Sequence, residues 1–358
     1  MRKTNNKLLI TGGAGFIGSN LVAYFLSKGH TVVCLDNLST GFRKNLEPFL
    51  GHPRFTFIEG DIRNPDTCRK AVHGCDYVLH EAALGSVPRS ISDPVSTNAS
   101  NIDGFLNMLL AARDEKVKRF VYAASSSTYG DAKALPKVEH EIGRPLSPYA
   151  ITKYVNELYA GVFADTYGME CIGLRYFNVF GKNQSPEGAY AAVIPLWVKA
   201  LIRHKQPVIN GDGSYSRDFT YIANVIRANE LALFTPTEQI LKKRYDYYNL
   251  DLQNKDAGEE VKRGKAHAFS EVFNVAYGGN TTLNELYETL RDNLAKHDPA
   301  IGNIEPVYGP VREGDIPHSQ ASILKAKIIL GYQPEYDARK GFELACEWYY
   351  SHLGNKLM

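Results

Sequence analysis

Short apolar runs alternate with longer amphipathic stretches through the first half of this 358-residue chain. Leu8-Leu9-Ile10, Thr31-Val32-Val33-Cys34-Leu35, Phe55-Thr56-Phe57-Ile58, Tyr77-Val78-Leu79 and Phe120-Val121-Tyr122 are β-rich and too short for helices, and they predict strands. The intervals between them are long enough for crossover helices. Strands that read as apolar runs, spaced by helical patterns, predict a parallel sheet covered on both faces. Cys171-Ile172-Gly173-Leu174 and Val272-Phe273-Asn274-Val275 would extend that sheet. Helical periodicity is clear over Phe16, Ile17, Leu21, Phe25 and Leu26. It returns over Tyr149, Val155, Leu158, Tyr159 and Val162, where Ser147-Pro148 is a start signal. The pattern weakens from about Thr235 to Ser270, a stretch rich in Lys, Glu, Asp and Tyr. This predicts a polar surface insertion over 236–270, a charged and solvated loop. There is no internal repeat.

Composition removes several classes of function. Lys+Arg 41 against Asp+Glu 39 leaves a net charge of +2, so no polyelectrolyte partner is implied. The one basic stretch, Lys242-Lys243-Arg244, falls in the polar segment and reads as solvated, so no nucleic-acid partner is expected. Cys34, Cys68, Cys75, Cys171 and Cys346 are odd in number and lack C-x-x-C spacing. That suits free thiols in a reducing compartment better than disulfides or a zinc site. No apolar run reaches the ~18 residues of a membrane span. Arg2, Lys3 and Lys7 precede an apolar stretch that breaks at Gly12-Gly13, unlike a signal peptide. A soluble, cytoplasmic protein with no metal and no membrane partner is the expectation.

The first strand runs directly into Thr11-Gly12-Gly13-Ala14-Gly15-Phe16-Ile17-Gly18. Gly13, Gly15 and Gly18 satisfy G-x-G-x-x-G, and Gly12, Gly15 and Gly18 satisfy G-x-x-G-x-x-G. Glycines permit a tight turn and let backbone approach a pyrophosphate, with a helix N-terminus open to the anion. A glycine motif alone could be only a turn. Here a strand precedes it, an amphipathic helix follows, and Asp36 closes the second strand where a ribose-binding carboxylate belongs. The combination predicts a Rossmann-type, doubly wound parallel sheet that binds a dinucleotide. Asp36 would repel a 2′-phosphate and Asn37-Leu38 bring no cation, while Arg43 and Lys44 lie farther on, so NAD is preferred to NADP.

Bound dinucleotide makes hydride transfer the expected chemistry, which needs a base. Tyr149 and Lys153 lie one helical turn apart, so they can act on one reactant. A nearby ammonium favours the phenolate and should lower the tyrosine pKa. The same spacing recurs at Tyr24 and Lys28, Tyr129 and Lys133, and Tyr336 and Lys340. Lys28 falls at the wrong end of a helix, Gly130 follows Tyr129, and Tyr336 lies in the last quarter beside Pro334. Only Tyr149 opens a helix downstream of a strand ending in Ser125-Ser126-Ser127, hydroxyls that should face the cofactor.

These motifs together resemble the extended short-chain dehydrogenase/reductases, and more narrowly the UDP-N-acetylglucosamine 4-epimerases of the UDP-hexose 4-epimerase group. The resemblance runs through Ala83-Leu84-Gly85-Ser86-Val87-Pro88-Arg89-Ser90, Leu174-Arg175-Tyr176-Phe177-Asn178-Val179-Phe180-Gly181, Ser216-Arg217-Asp218-Phe219 and Arg312-Glu313-Gly314-Asp315. It implies a smaller C-terminal α/β domain, substrate-binding, made of 181–215 and 279–353. The NAD-binding part would be 1–180, with 216–235 and 271–278 packing back onto it. Tyr149 would be the base, assisted by Ser125 and by Ser126 or Ser127, with Lys153 on the nicotinamide ribose. Cofactor contacts would come from Gly12, Gly15, Phe16, Ile17 and Gly18, from Asp36, Asn37, Asp61 and Ile62, and from Ala82, Ala83, Asn101 and Tyr176. Gly85, Ser86, Asn178, Arg217, Arg312, Asp315 and Ser319 would meet the UDP-sugar. Ser319 matches the place of a bulky tyrosine in relatives acting on plain hexoses, and would leave room for a 2-acetamido group. The resemblance also implies a homodimer through the helices near Pro94 and Tyr149. A 4,6-dehydratase would need an acid pair where Ser126-Ser127 stand. A uronic-acid epimerase stays open through Arg89, and a non-catalytic NAD sensor would have no use for an activated phenol.

Overall fold

The computed structural model describes residues 5–187, 191–250, 268–311 and 316–354. All seven runs expected to be strands join one sheet. They are β1 (Lys7–Thr11), β2 (Thr31–Asp36), β3 (Phe55–Glu59), β4 (Tyr77–His80), β5 (Arg119–Ser125), β6 (Glu170–Tyr176) and β7 (Phe269–Val275). Every pairing is parallel, and the order is β7-β6-β5-β4-β1-β2-β3. From β1 the chain builds outward through β2 and β3, then returns to the other side of β1 with β4. Crossovers on the two sides of that reversal leave on opposite faces, so a crevice opens at the carboxyl ends of β1 and β4.

Helices cover both faces, as a parallel sheet requires. One face packs Leu21, Val22 and Phe25 of Phe16–Ser27 with Val225, Ala228 and Ala232 of Ile222–Phe234. The helix Leu324–Leu330, though it lies within 279–353, adds Ala326, Ile329 and Leu330 to this same core. The other face packs Pro65–Val72, Gly104–Glu115 and Pro148–Tyr167 through Ala71, Phe105, Met108 and Phe163. Each fully buried Leu, Phe or Met contributes roughly 1.5–3 kcal/mol of transfer free energy. A separate core joins Trp197, Leu286, Leu290 and Phe342 from Val193–Ile202, Leu283–Ala295 and Ala338–Tyr349. The short strand Ser216–Arg217 sits between Thr281–Thr282 and His318–Ser319 beside it.

The polar stretch after Thr235 corrects the expectation of a solvated loop. Thr237–Leu250 is a helix that buries Ile240 and Tyr247 in the core over the sheet. Arg244, expected to be solvated, pairs with the buried Glu271 of β7, which also meets Lys325 Nζ at 2.6 Å and accepts from Tyr248 Oη at 3.2 Å. Charges on three elements neutralise one another, so a charged segment can be interior. The remainder of that stretch, 251–267, lies outside the described residues. All five cysteines are buried free thiols, and no described helix is long and apolar enough to cross a membrane.

Glu271→Gln would leave two buried cations without their anion, and breaking such a pair from one side costs about 3–5 kcal/mol. Urea unfolding should register that loss; a change below about 1 kcal/mol would mean the cluster is better hydrated than its burial indicates.

Candidate active site

β1 leaves the sheet at Thr11 and turns at Gly12, whose φ of +67° is strained for any side chain. A Cβ at Gly12 would also lie 2.8 Å from Ala82 N. Gly15 starts the helix Phe16–Ser27 with no side-chain cap, leaving its first N–H groups for another acceptor. A Cβ at Gly18 would fall 2.2 Å from Gly12 O, so helix and turn touch only because it is absent. At the end of β2, Asp36 Oδ2 accepts from Ala14 N at 2.9 Å and Oδ1 from Leu38 N at 2.8 Å. The carboxylate is thereby fixed at the rim, while burial pushes its pKa up. Asp61 is held by Arg63 and by Asn37 Nδ2 at 2.9 Å, and Arg63 above all draws it down to about 2. Arg43 turns toward Glu59 at 3.4 Å. A cradle without Cβ atoms, an uncapped helix and a fixed carboxylate fit a dinucleotide such as NAD.

These groups line one cleft of about 500 Å³ that continues to Ser125, Tyr149 and Lys153. Its wall includes Phe16, Ile17, Ile62, Ala82, Ala83, Gly85 and Tyr176. Asn101 lies behind the wall: its Oδ1 accepts from Leu84 N at 2.8 Å and its Nδ2 donates to Thr152 Oγ1 at 3.1 Å. It ties the wall to the Pro148–Tyr167 helix. Ser86 is also outside the lining and caps the helix Val87–Ser92 by accepting from Arg89 N at 3.2 Å.

Ser147 caps the helix Pro148–Tyr167 by accepting from Ala150 N at 3.1 Å, which sets Tyr149 in its first turn above the end of β5. Ser125 Oγ accepts from Ser127 N at 3.1 Å and from Ser127 Oγ at 2.9 Å. Ser125 also hydrogen-bonds Tyr149 in the sense that favours the phenolate. Ser126 begins the one-turn helix Ser126–Tyr129 and is not part of the lining. Lys153 Nζ donates to Ala123 O at 2.7 Å and stands 5.9 Å from the Tyr149 ring centre. Burial brings the ammonium down to about 8.

The expected lowering of the phenol is not what these walls produce by themselves. Burial raises the Tyr149 pKa, the Ser125 hydrogen bond opposes this, and the Glu81 carboxylate adds to it. Desolvation of the phenolate is the largest of these effects. The other Tyr-x-x-x-Lys pairs are elsewhere: Lys28 stacks on Tyr24 at 5.0 Å, buried Tyr129 donates to Asn274 Oδ1 at 2.6 Å, and Tyr336 packs on Tyr221.

Glu81 is the charged lining residue that sequence reasoning missed, alongside uncharged ones such as Ser39, Thr40, Gly60 and Ser100. It follows β4 directly, at the crevice between β4 and β1, and Tyr176 Oη donates to its Oε1 at 2.8 Å. Burial lifts its carboxyl to about 7. No motif spacing marks it. A charged residue ending an otherwise apolar strand at the reversal point is the signal that could have found it.

A second cluster forms outside the cleft lining. Asn178, with φ +36°, donates from Nδ2 to Asp218 O at 3.5 Å. Arg217 Nη1 donates to Ser216 O at 2.9 Å and Pro317 O at 3.2 Å, and Ser319 is in register with Arg217. The buried Asp218 carboxylate accepts from Gly278 N and Ala321 N, each at 3.1 Å, and so pins the backbone on both sides of this group. Arg312 and Asp315 lie outside the described residues.

Residues 8–247 match the NAD dependent epimerase/dehydratase family. A UDP-glucose 4-epimerase of Mycolicibacterium smegmatis is 31% identical over 345 residues, 96% of this chain and 98% of that protein. A UDP-N-acetylglucosamine 4-epimerase from Methanobrevibacter ruminantium, solved with UDP-N-acetylmuramic acid, superposes with a TM-score of 0.82 at 34% identity, covering 97% of this chain and 99% of that one. Thermus thermophilus UDP-glucose 4-epimerase, solved with NAD, gives 0.77 at 29% identity over 96% of this chain and 98% of that one.

Proposed function

Since the chain belongs to the NAD dependent epimerase/dehydratase family, we propose that it is a UDP-hexose 4-epimerase acting on UDP-N-acetylglucosamine and UDP-N-acetylgalactosamine, with the plain UDP-hexoses as secondary substrates. The observation that carries this reading is the meeting of Ser125, Tyr149 and Lys153 with the glycine turn in one cleft. NAD, when bound, supplies an acceptor that takes hydride from the sugar and later returns it. The chain does the rest. Tyr149 Oη takes the proton of the 4-hydroxyl, and Ser125 hydrogen-bonds the same oxygen. Lys153 holds the ribose and keeps a positive charge near the developing phenolate. Once the 4-keto sugar has turned over in the pocket, Tyr149 Oη would return its proton to the same oxygen.

An intermediate that must rotate has to be held by its remote end. We assign that grip to the part comprising 181–215 and 279–353, with NAD held by 1–180 together with 216–235 and 271–278. Arg217 and Arg312 suit a diphosphate by bidentate geometry. Asn178 and Asp315 would meet the nucleotide-sugar, and Ser319 beside Arg217 leaves space for an acetamido group. Arg89 on the cleft wall favours a second reading, a UDP-uronate 4-epimerase, in which it would meet the sugar carboxylate. Ser126-Ser127 in place of an acid pair argues against dehydration. Five buried free thiols agree with a cytoplasmic enzyme. A homodimer is supported by apolar side chains left exposed on adjoining helices, Val95 at 77% and Leu158 at 53%.

Proton NMR of UDP-GlcNAc, UDP-glucose and UDP-glucuronate incubated in parallel should show the 4-epimer fastest in the first tube. A 4-keto-6-deoxy product, or no change in any tube, would overturn the reading. Tyr149→Phe should keep NAD and lose roughly 10³-fold or more of the turnover, within the usual worth of a positioned base. Ser319→Tyr should suppress UDP-GlcNAc turnover about tenfold more than UDP-glucose turnover; equal losses would remove the gating role. Leu158→Asp should sediment as a monomer with unchanged helical circular dichroism, whereas an unaltered sedimentation coefficient would place any dimer contact elsewhere.

A further inference from the structure

Asn274 is fully buried near the end of β7, and its side chain meets three separate segments. Its Oδ1 accepts from Tyr129 Oη at 2.6 Å, while Nδ2 donates to Lys137 O at 2.9 Å and to Ser322 O at 3.0 Å. Two donors and one acceptor on one short side chain are what a carboxamide supplies, and neither Asp nor Leu could make this set. The backbones of the second and third segments also join directly: Lys137 N donates to Gln320 O at 2.8 Å and Ser322 N to Lys137 O at 2.9 Å. The strap 318–322 is fixed on its other side, where Ser319 is in register with Arg217 and the Asp218 carboxylate accepts from Ala321 N at 3.1 Å. Tyr129 closes the one-turn helix Ser126–Tyr129, which starts immediately after Ser125. The Asn274 amide is therefore the junction between the turn that carries Ser125 and the strap that carries Ser319.

We propose that Asn274 is a positioning residue for substrate choice: by tying Tyr129 to Lys137 and Ser322, it fixes where Ser319 stands relative to Ser125, and so the room for a substituent at carbon 2 of the sugar. The proposal rests on the reading of Ser319 as the acetamido gate. Asn274 is outside the cleft lining, so it acts through the strap and not on the substrate. Losing its bonds would leave a buried phenol and two carbonyls without this partner, a cost that holds the junction in one geometry. A serine that admits a group by leaving space depends on where its backbone stands. A sugar with a plain hydroxyl at carbon 2 does not use that space. Loosening the strap therefore penalises the N-acetylated substrate more than the plain one.

The quantity to measure is kcat/KM for UDP-GlcNAc divided by that for UDP-glucose, on the NAD-loaded enzyme. This ratio is indifferent to the fraction of enzyme that is folded, so a residue that only stabilises the fold leaves it unmoved. Asn274→Ala removes all three bonds and should lower the ratio about tenfold, the low end of what one pocket contact contributes to discrimination. Tyr129→Phe cuts only the tie to the Ser125 turn and keeps the ring against Phe177, so it should lower the ratio by less. Should Asn274→Ala fail to fold, Tyr129→Phe provides the same test. A lower melting temperature with an unmoved ratio, in whichever variant folds, would overturn the proposal. Failure of the gate reading looks different. If Ser319→Tyr stays selective while the junction variants leave the ratio unmoved, the junction alone is wrong; if Ser319→Tyr depresses both substrates equally, the gate falls and the junction with it.

Discussion

The reversal of strand order between β1 and β4 is the constraint on which the rest of the molecule depends. Parallel strands cannot be joined by tight hairpins, so each crossover must travel over one face of the sheet. At the reversal the crossovers part, and the carboxyl ends of two neighbouring strands are left uncovered. The glycine turn after β1, Glu81 after β4 and Ser125 at the end of β5 all open onto that gap. Gly12 and Gly18 make it usable, because a Cβ at either would collide with backbone of the opposing turn or strand. The cleft is thus a consequence of topology, and the small residues at its edge keep it open.

Buried charge is treated in two ways in this protein. Away from the cleft, some ionic groups are closed into ion-paired sets, Arg175 with Glu157 and Glu271 with Arg244 and Lys325, while Asp218 is held, among the described residues, by backbone N–H groups alone. These sets lock distant elements together, since removing one member strands the others. Within the cleft, the hydrogen-bond partners are neutral: Ser125 for Tyr149, Ala123 O for Lys153 and Tyr176 Oη for Glu81. Matched pairs have fixed charge at ordinary pH, whereas these groups keep protonation states that neighbouring charges can move. That is the condition a reversible proton acceptor requires.

Much of the framework was legible along the chain. Strands buried on both faces must be apolar at consecutive positions, which is why the central ones could be read as runs; the edge strand β3, partly exposed, was legible from its β-rich residues instead. The glycine turn, Asp36 and the Tyr149–Lys153 pair were legible because their chemistry needs particular residues at short, fixed separations. The helix Thr237–Leu250 was not, because its local pattern is polar; Arg244 is accommodated by Glu271 and Lys325, which are far away in sequence. Glu81 escaped for a related reason, as its partners Tyr176 and Asn229 come from separate elements. Asn101 was expected as a cofactor contact, whereas in the folded chain Leu84 and Thr152 take up its amide.

The sequence by itself determined the strands, the dinucleotide turn, and which of four equal Tyr-Lys spacings belongs to a helix after a serine-ended strand. All of these are local, written in periodicity and spacing over a few residues. Only the tertiary structure decided the balance of forces on the phenol. Burial and the Glu81 carboxylate raise its pKa while Ser125 opposes them, and these effects arise from groups brought together out of β4, β5 and the Pro148–Tyr167 helix. Desolvation and charge act through space over a few ångströms, and only the folded chain sets those distances.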